Sequence, residues 1–188
     1  MMTVTLISGV TGVGLSSICQ EVRKQLDDDY KLVNFGDSML EQAAARDITT
    51  NRDELSSLTQ RETRRLQRRA GEYVGDLADD NDILLAAHLA VQTNAGYVHG
   101  LPDSVLHDIS PSAFVLVEAS PETIIDRRDD SDRDIPEMSP RGVQFEQDLN
   151  RTAALEYARE MDAPIQFVEN EDNVEAAASR VAAGLNSV

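Results

Sequence analysis

The stretch Thr3–Ser17, T-V-T-L-I-S-G-V-T-G-V-G-L-S-S, constrains this chain more than any other. Its β-branched, apolar run Val4-Thr5-Leu6-Ile7 predicts a buried strand. Gly9, Gly12 and Gly14 follow, then Ser16 and Ser17, and a helical pattern runs on to about Leu26. Strand, glycine turn and helix start, in that order, form the context of a phosphate-binding P-loop. Glycines let successive backbone N–H groups point inward at an anion, and the helix N-terminus adds partial positive charge. The span Gly9-Val10-Thr11-Gly12-Val13-Gly14-Leu15-Ser16 keeps the motif's spacing and departs from it once. Leu15 stands where a lysine would reach the outer phosphates. From these residues alone two readings remain: a phosphate cradle, or a tight strand-to-helix turn that holds no ligand.

The rest of the chain predicts an α/β domain. At 188 residues it is expected to form one domain with a sizeable core. Strands are expected at Val4–Ser8, Tyr30–Phe35, Ile83–Ala87, Phe114–Glu118 and Ile165–Val168. Helices are expected at about Ser16–Leu26, Asp37–Ala45, Gln60–Ala78, Pro102–His107, Pro121–Arg128, Pro140–Met161 and Val174–Leu185. That alternation predicts a five-stranded parallel sheet covered by helices on both faces. Thr59-Gln60-Arg61-Glu62 has the form of a capping box, and Ser120-Pro121 and Ser139-Pro140 each pair a cap with a proline in the first turn. Ligands of such sheets bind beyond the carboxyl ends of the strands. The loops after Ser8, Phe35, Ala87, Glu118 and Val168 are therefore the ones to inspect.

Charge narrows the partners. The net charge is −17, with 34 acidic side chains against 17 basic ones, and only Lys24 and Lys31 are lysines. Such a surface argues against nucleic acid as a partner and reads as adaptation to a salty cytosol. The single cysteine, Cys19, excludes an internal disulfide. No stretch approaches the ~20 apolar residues of a membrane span. Met1–Ser8 lacks the positive n-region of a secretory signal, so the expected compartment is the cytoplasm.

Several segments carry polar groups to the expected ligand edge. Gly36 follows the second strand and permits a close backbone approach, with Asp37 or Ser38 placed to cap the next helix. Arg61, Arg64, Arg65, Arg68 and Arg69 crowd one helix, either as a solvated face or as an anion contact. The third strand ends Ala86-Ala87-His88 and lacks the Asp that often helps hold Mg²⁺ there. Asp82 lies at the wrong end, ~13 Å away at ~3.3 Å per residue. His88 is either a polar contact at this edge or a structural histidine. Thr93–Pro102, with two glycines and a proline, reads as a functional loop. Asp130, Asp132 and Asp134 alternate as in a calcium loop, but Ile135 and Arg141 occupy the positions that need Gly and Glu. The segment reads better as one that brings Arg127, Arg128 and Arg133 toward phosphates, because arginine stays charged and pairs bidentately.

Taken in order, G-V-T-G-V-G, N-F-G-D, N-R-D-E-L, A-G-Y-V-H-G-L-P, the Arg127–Arg133 segment and N-R-T-A-A-L-E-Y-A resemble the archaeal-type adenylate kinases over nearly the whole chain, as a divergent, haloarchaeal-like member. The resemblance implies a P-loop nucleoside-monophosphate kinase fold, with an acceptor-binding region at about 36–80 and a short lid at about 127–138. It implies reversible, Mg²⁺-dependent phosphoryl transfer from ATP to AMP, giving two ADP, in a homotrimer. It assigns Gly9 to Ser17 to the ATP phosphates, Ser16 to Mg²⁺ and Asn170 to the adenine. Asn34, Phe35, Gly36, Asp37, Arg52, Gly100, Leu101 and Pro102 fall to the AMP side, where His88 is also placed. Arg127, Arg128, Arg133 and Arg151 become the catalytic arginines. Leu15 and Ala86 leave two alternatives open, a nucleotide-binding protein with little turnover and a kinase for another nucleoside monophosphate.

Overall fold

A computed structural model of the chain describes residues 2–26, 30–93, 96–132, 135–171 and 173–185. Five strands form one parallel sheet in the order β2-β3-β1-β6-β7: β1 Val4–Ser8, β2 Tyr30–Asn34, β3 Asp82–Ala86, β6 Ala113–Glu118 and β7 Ile165–Glu169. Two further strands, β4 Ala90–Thr93 and β5 Gly96–His99, pair antiparallel as a separate hairpin. The helices are α1 Leu15–Arg23, α2 Phe35–Ala44, α3 Gln60–Ala78, α4 Asp103–Ile109, α5 Pro121–Asp129, α6 Pro140–Glu160 and α7 Val174–Leu185, with a 3-10 turn at Arg52–Ser57.

The central strands are continuous apolar runs because both faces of the sheet are covered. β1 and β6 are buried along their whole length. Their alternate side chains feed two cores. Leu6, Leu85, Phe114 and Leu116 pack with Ala70 and Val74 of α3, Val105 of α4 and Tyr157 of α6. Ile7, Leu84, Val115 and Val117 pack with Ile18 and Val22 of α1, Ile124 of α5 and Val181 of α7. Cys19 belongs to this second core, and burial pushes its thiol up to about 12, which makes it a small apolar filler.

Local chemistry sets the helix starts. Thr59 and Glu62 form the reciprocal capping box, and Ser120 and Ser139 cap α5 and α6 ahead of prolines in their first turns. Two expectations are corrected. α2 begins at Phe35, and its cap is Asn34, whose side chain accepts from the Asp37 N–H; neither Asp37 nor Ser38 serves. Thr93–Pro102 is no free loop, because it holds most of the hairpin and the turn into α4. Asp82 is accounted for at the opposite edge of the sheet, where its Oδ1 accepts from the Thr3 amide at 2.6 Å and hydroxyl at 2.9 Å.

The chain enters at the sheet's centre with β1, lays β2 at one edge, returns to fill β3 between them, and then crosses to β6 on the other side of β1. The loop after β1 therefore sits where the winding reverses, and strands diverge there to leave a crevice.

Candidate active site

Residues Gly9–Gly14 turn tightly above β1, with the Val13 N–H donating to the Val10 carbonyl at 3.1 Å. Gly12 and Gly14 have φ of 89° and 87°, the left-handed region that side-chain-bearing residues avoid. α1 starts directly after Gly14 with no side-chain cap, so its first N–H groups are left for a ligand. Ser16 and Ser17 are exposed in that first turn, and Leu15 is partly buried against the second core.

Three elements hold the outer, carbonyl side of this turn. His88 Nδ1 lies 2.6 Å from the Gly9 carbonyl oxygen, which can only accept, so Nδ1 donates. Arg128 Nε donates to the Thr11 carbonyl at 2.9 Å. The Val13 carbonyl accepts from Asn170 Nδ2 at 2.8 Å and Arg127 Nη1 at 3.2 Å. With its carbonyls bound outward, the turn is pre-set for its amides to face the crevice. Asn170 is 1% exposed, and its Oδ1 is a buried acceptor without a partner among the described residues. Arg127 is itself anchored on the Asn170 and Glu171 carbonyls.

A cavity of about 380 Å³ opens over the turn, lined by Val10–Gly12, Gly14–Ser17, Asn34, Gly36, Arg52, Ala86–His88 and Arg127. No carboxylate is among these residues, while two arginines are, so the cavity is cationic inside a chain of net charge −17. Arg52 hydrogen-bonds Asn34 Oδ1 at 3.2 Å and pairs with Asp37, bringing the 3-10 turn against the start of α2.

A second cavity, of about 300 Å³, runs on from the first and shares Val10, Thr11, Gly36, Arg52 and His88 with it. Phe35, Met39, Leu55, Val91 and Tyr97 supply apolar wall, and Ile135, Pro136 and Met138 cover it from the segment between α5 and α6. Arg128 lies in this wall, paired with Glu146 at 2.6 Å, their side chains 7% and 15% exposed. Tyr97 donates to the other oxygen of Glu146 at 2.9 Å; burial, then that bond, pushes its phenol up to about 12. At its far end the cavity shares Thr63, Gln67 and Thr93 with a third, polar one of about 270 Å³.

Of the residues expected at the site, Gly100 lines the second cavity and Pro102 the third, while Leu101 is core. A β-carbon on Gly100 would overlap the His88 carbonyl oxygen, so only glycine lets these two backbones meet. Arg151 is placed elsewhere: its Nε and Nη2 donate to the Glu118 carboxylate at 2.9 and 2.6 Å and its Nη1 to Asp148 at 3.0 Å, and it lines none of the three cavities. Arg133 lies outside the described residues. The five arginines of α3 are all exposed, and only Arg64 lines a cavity, the third.

The sequence alone did not single out Gln67, Glu146, Gln147 or Asn150. Asn150 Oδ1, buried, accepts from Ser8 Oγ at 2.8 Å and the Leu89 N–H at 3.1 Å, and so ties α6 to the ends of β1 and β3. Gln147 holds both backbone groups of Ala119 after β6. A signal was available: the amides interrupt the helical stripe Val143, Gln147, Asn150, Ala154, Tyr157, which is otherwise apolar.

The glycine turn thus borders a cationic cavity that continues into a second, apolar-walled compartment, and the two meet at Arg52 and His88. Among the described residues no cluster of His, Cys, Asp or Glu could hold a metal ion, so no resident metal centre is built here.

Residues 8–141 match the family model described as "AAA domain". The fold is shared with the Deinococcus radiodurans tunicamycin resistance protein (TM-score 0.59, 14% identity, covering 98% of this chain and 96% of that one). It is shared equally with shikimate kinase from Bacteroides thetaiotaomicron (TM-score 0.59, 12% identity, 99% of each). At the level of sequence, adenylate kinase of Pyrococcus furiosus is 35% identical over 174 residues, 92% of this chain and 89% of its own. Adenylate kinase of Methanothermobacter thermautotrophicus is 35% identical over 173 residues, 92% of each. With the parallel five-stranded sheet and the glycine turn after its central strand, this extent of likeness establishes that the chain belongs to the archaeal-type adenylate kinase family.

Proposed function

We propose that this protein catalyses ATP + AMP ⇌ 2 ADP by direct phosphoryl transfer. The observation that carries the reading is the junction of the two cavities at Val10, Thr11, Gly36, Arg52 and His88, which gives two nucleotides one shared phosphate end. The relatives bearing the name adenylate kinase support it. ATP lies with its phosphates over Gly9–Ser17 and its adenine toward Asn170. AMP occupies the second cavity with its phosphate toward Arg52 and Gly36. An oxygen of the AMP phosphate attacks the γ-phosphorus as the bond to the β-phosphate oxygen breaks, and that oxygen leaves with the electron pair as ADP. Such transfer depends on position and charge rather than on a protein nucleophile. Arg52 supplies charge at the junction and Arg127 in the first cavity; Arg128, in the wall of the second, adds its charge when it exchanges Glu146 for phosphate.

Magnesium fits as an ion that arrives on the nucleotide. The cavity offers the Ser16 hydroxyl and no carboxylate, and Mg²⁺ is commonly held largely by substrate phosphates and water. When bound it neutralises charge on the transferring phosphoryl group. Residues 36–80 serve as the acceptor region and 127–138 as the lid, whose apolar cover excludes water. The acid excess supports work in a salty cytosol, and a trimer follows the family.

Leu15 and Ala86 favour a second reading, in which nucleotides bind but turn over little. A coupled assay with ATP, AMP and Mg²⁺ in molar KCl decides. ADP formation well above background is expected. If both nucleotides bind by calorimetry while no label passes between them, the second reading stands. A panel of monophosphates tests the acceptor.

A further inference from the structure

Side chains hold three carbonyls of the glycine turn, and the partner of the middle one, Thr11, is Arg128. The Arg128 guanidinium points three ways. Nε donates to the Thr11 carbonyl at 2.9 Å, Nη2 donates to Glu146 at 2.6 Å, and Nη1 faces the Met138 sulfur at 3.9 Å. The side chain lies flush against the turn: a β-carbon on Gly12 would stand 3.0 Å from its Cγ. The Glu146 carboxylate is fixed in its turn. Its other oxygen accepts from the Tyr97 hydroxyl at 2.9 Å, and the Tyr97 ring meets Phe145 edge-on, centroids 5.9 Å apart. Tyr97 and Glu146 line the second cavity and not the first. A chain of charge-assisted hydrogen bonds thus runs from β5, in the wall of the second cavity, through α6 and α5 to the turn beneath the first.

We propose that Glu146 is a positioning residue: held by Tyr97, it keeps Arg128 on the Thr11 carbonyl, so that the phosphate turn of the first cavity is kept in its binding shape from the wall of the second. This rests on the reading of the first cavity as the ATP site. A guanidinium is a rigid fork, so fixing Nη2 on the carboxylate aims Nε at Thr11. Without the carboxylate a buried cation loses its counter-charge and turns to other acceptors. The pair is 7% and 15% exposed, so salt screens it less than it screens the surface and the hold persists in molar KCl.

The test measures ATP and AMP affinities separately by calorimetry in molar KCl. Tyr97→Phe keeps the ring on Phe145 and removes only the hydroxyl, and it decides the matter should Glu146→Gln fail to fold. Tyr97→Phe should weaken ATP by about threefold and Glu146→Gln by about tenfold, within the range of one lost hydrogen bond. Each should change Kd for AMP by less, although it is the second cavity that both residues line. In an Arg128→Met background Tyr97→Phe should have no further effect on ATP, because the two act in series. Unchanged ATP affinity in either folded variant would overturn the proposal. So would a loss as large for AMP, which a merely structural role in the hairpin would give, or a Tyr97→Phe loss that persists without Arg128. If the wild type binds no ATP, the adenylate kinase reading fails instead. Hydrogen exchange at the Val13 amide, which bonds the Val10 carbonyl inside the turn, then still tests Glu146. Faster exchange in the variants is expected, and equal exchange in wild type and variants would overturn the proposal.

Discussion

The residue that most alters the chemistry is Leu15, because it removes the cation a P-loop places beside the outer phosphates. The geometry sets another cation near the same loop, from α5. Arg127 Nη1 lies 3.8 Å from where a β-carbon would stand on Gly14, and two further carbonyls steady the guanidinium. Its charge therefore borders the same loop from outside. Arg127→Ala should lower kcat by about 10²- to 10³-fold, the usual cost of one preorganised charge donor, with a smaller effect on KM for AMP. Steady-state kinetics with each substrate varied checks this. The glycine spacing made the turn legible from residues alone. The charge of Arg127 marked it in the sequence as a group for phosphates, but the carbonyls it meets were not legible, because only the docking of α5 decides them.

At the scale of elements, α6 organises the site. Asn150 is buried, and its Oδ1 serves the hydroxyl before the phosphate turn and the amide after His88. Asn150→Ala strands both donors. It should destabilise the protein by about 2–3 kcal/mol, since unsatisfied buried donors cost about 1–3 kcal/mol each; urea denaturation measures it. A second clip joins the last strand's loop to α5. Ser120 and Thr123 hydroxyls donate to the Glu171 carboxylate at 3.0 and 2.8 Å. Burial acts to raise the Glu171 carboxyl, but these bonds, with the Ser120 amide and the Arg127 charge, hold it below its ordinary value of 4.5. A carboxyl lowered in the folded state contributes stability above its unfolded pKa and loses it as pH falls through the folded one. The wild type should thus lose stability below about pH 4.5 more steeply than Glu171→Gln, in thermal melts taken from pH 6 to 3. Caps such as Ser120-Pro121 were readable because they act within one turn; the partner of Ser120, Glu171, was not, because it arrives from after β7.

At the scale of the molecule, charge is the dominant parameter. A net charge of −17 on 188 residues opposes compaction, and the described ion pairs are few and mostly exposed. Screening shortens the reach of this repulsion from ~10 Å at 0.1 M salt to ~3 Å at 1 M. The melting temperature should rise by about 5–10 °C or more between 0.1 and 2 M KCl, since ~1 kcal/mol shifts a domain of this size by ~2–4 °C. Activity should climb over the same range. A flat response in differential scanning calorimetry would separate the acidic surface from salt tolerance. The cationic cavity carries a complementary expectation: phosphates bound as proposed would meet Arg52 and Arg127 at short range, where salt screens less than at the surface.

By itself the sequence determined what depends on near neighbours. The apolar runs at Val4–Ser8 and Phe114–Glu118 read as buried strands, and their alternation with helices left a parallel sheet as the way to cover them. The glycines at 12 and 14 permit a turn at φ near 90°, which side-chain-bearing residues avoid. Tertiary structure alone decided which groups converge from distant positions. It paired Ala90–Thr93 with Gly96–His99 as a hairpin, set Arg151 on Glu118, paired Arg128 with Glu146 and held the amide of Gln67 by carbonyls 32 and 33 residues away. The physical reason is one of range: capping, turn geometry and periodicity act over a few residues, whereas the partner of a buried polar side chain is chosen by packing across the whole core.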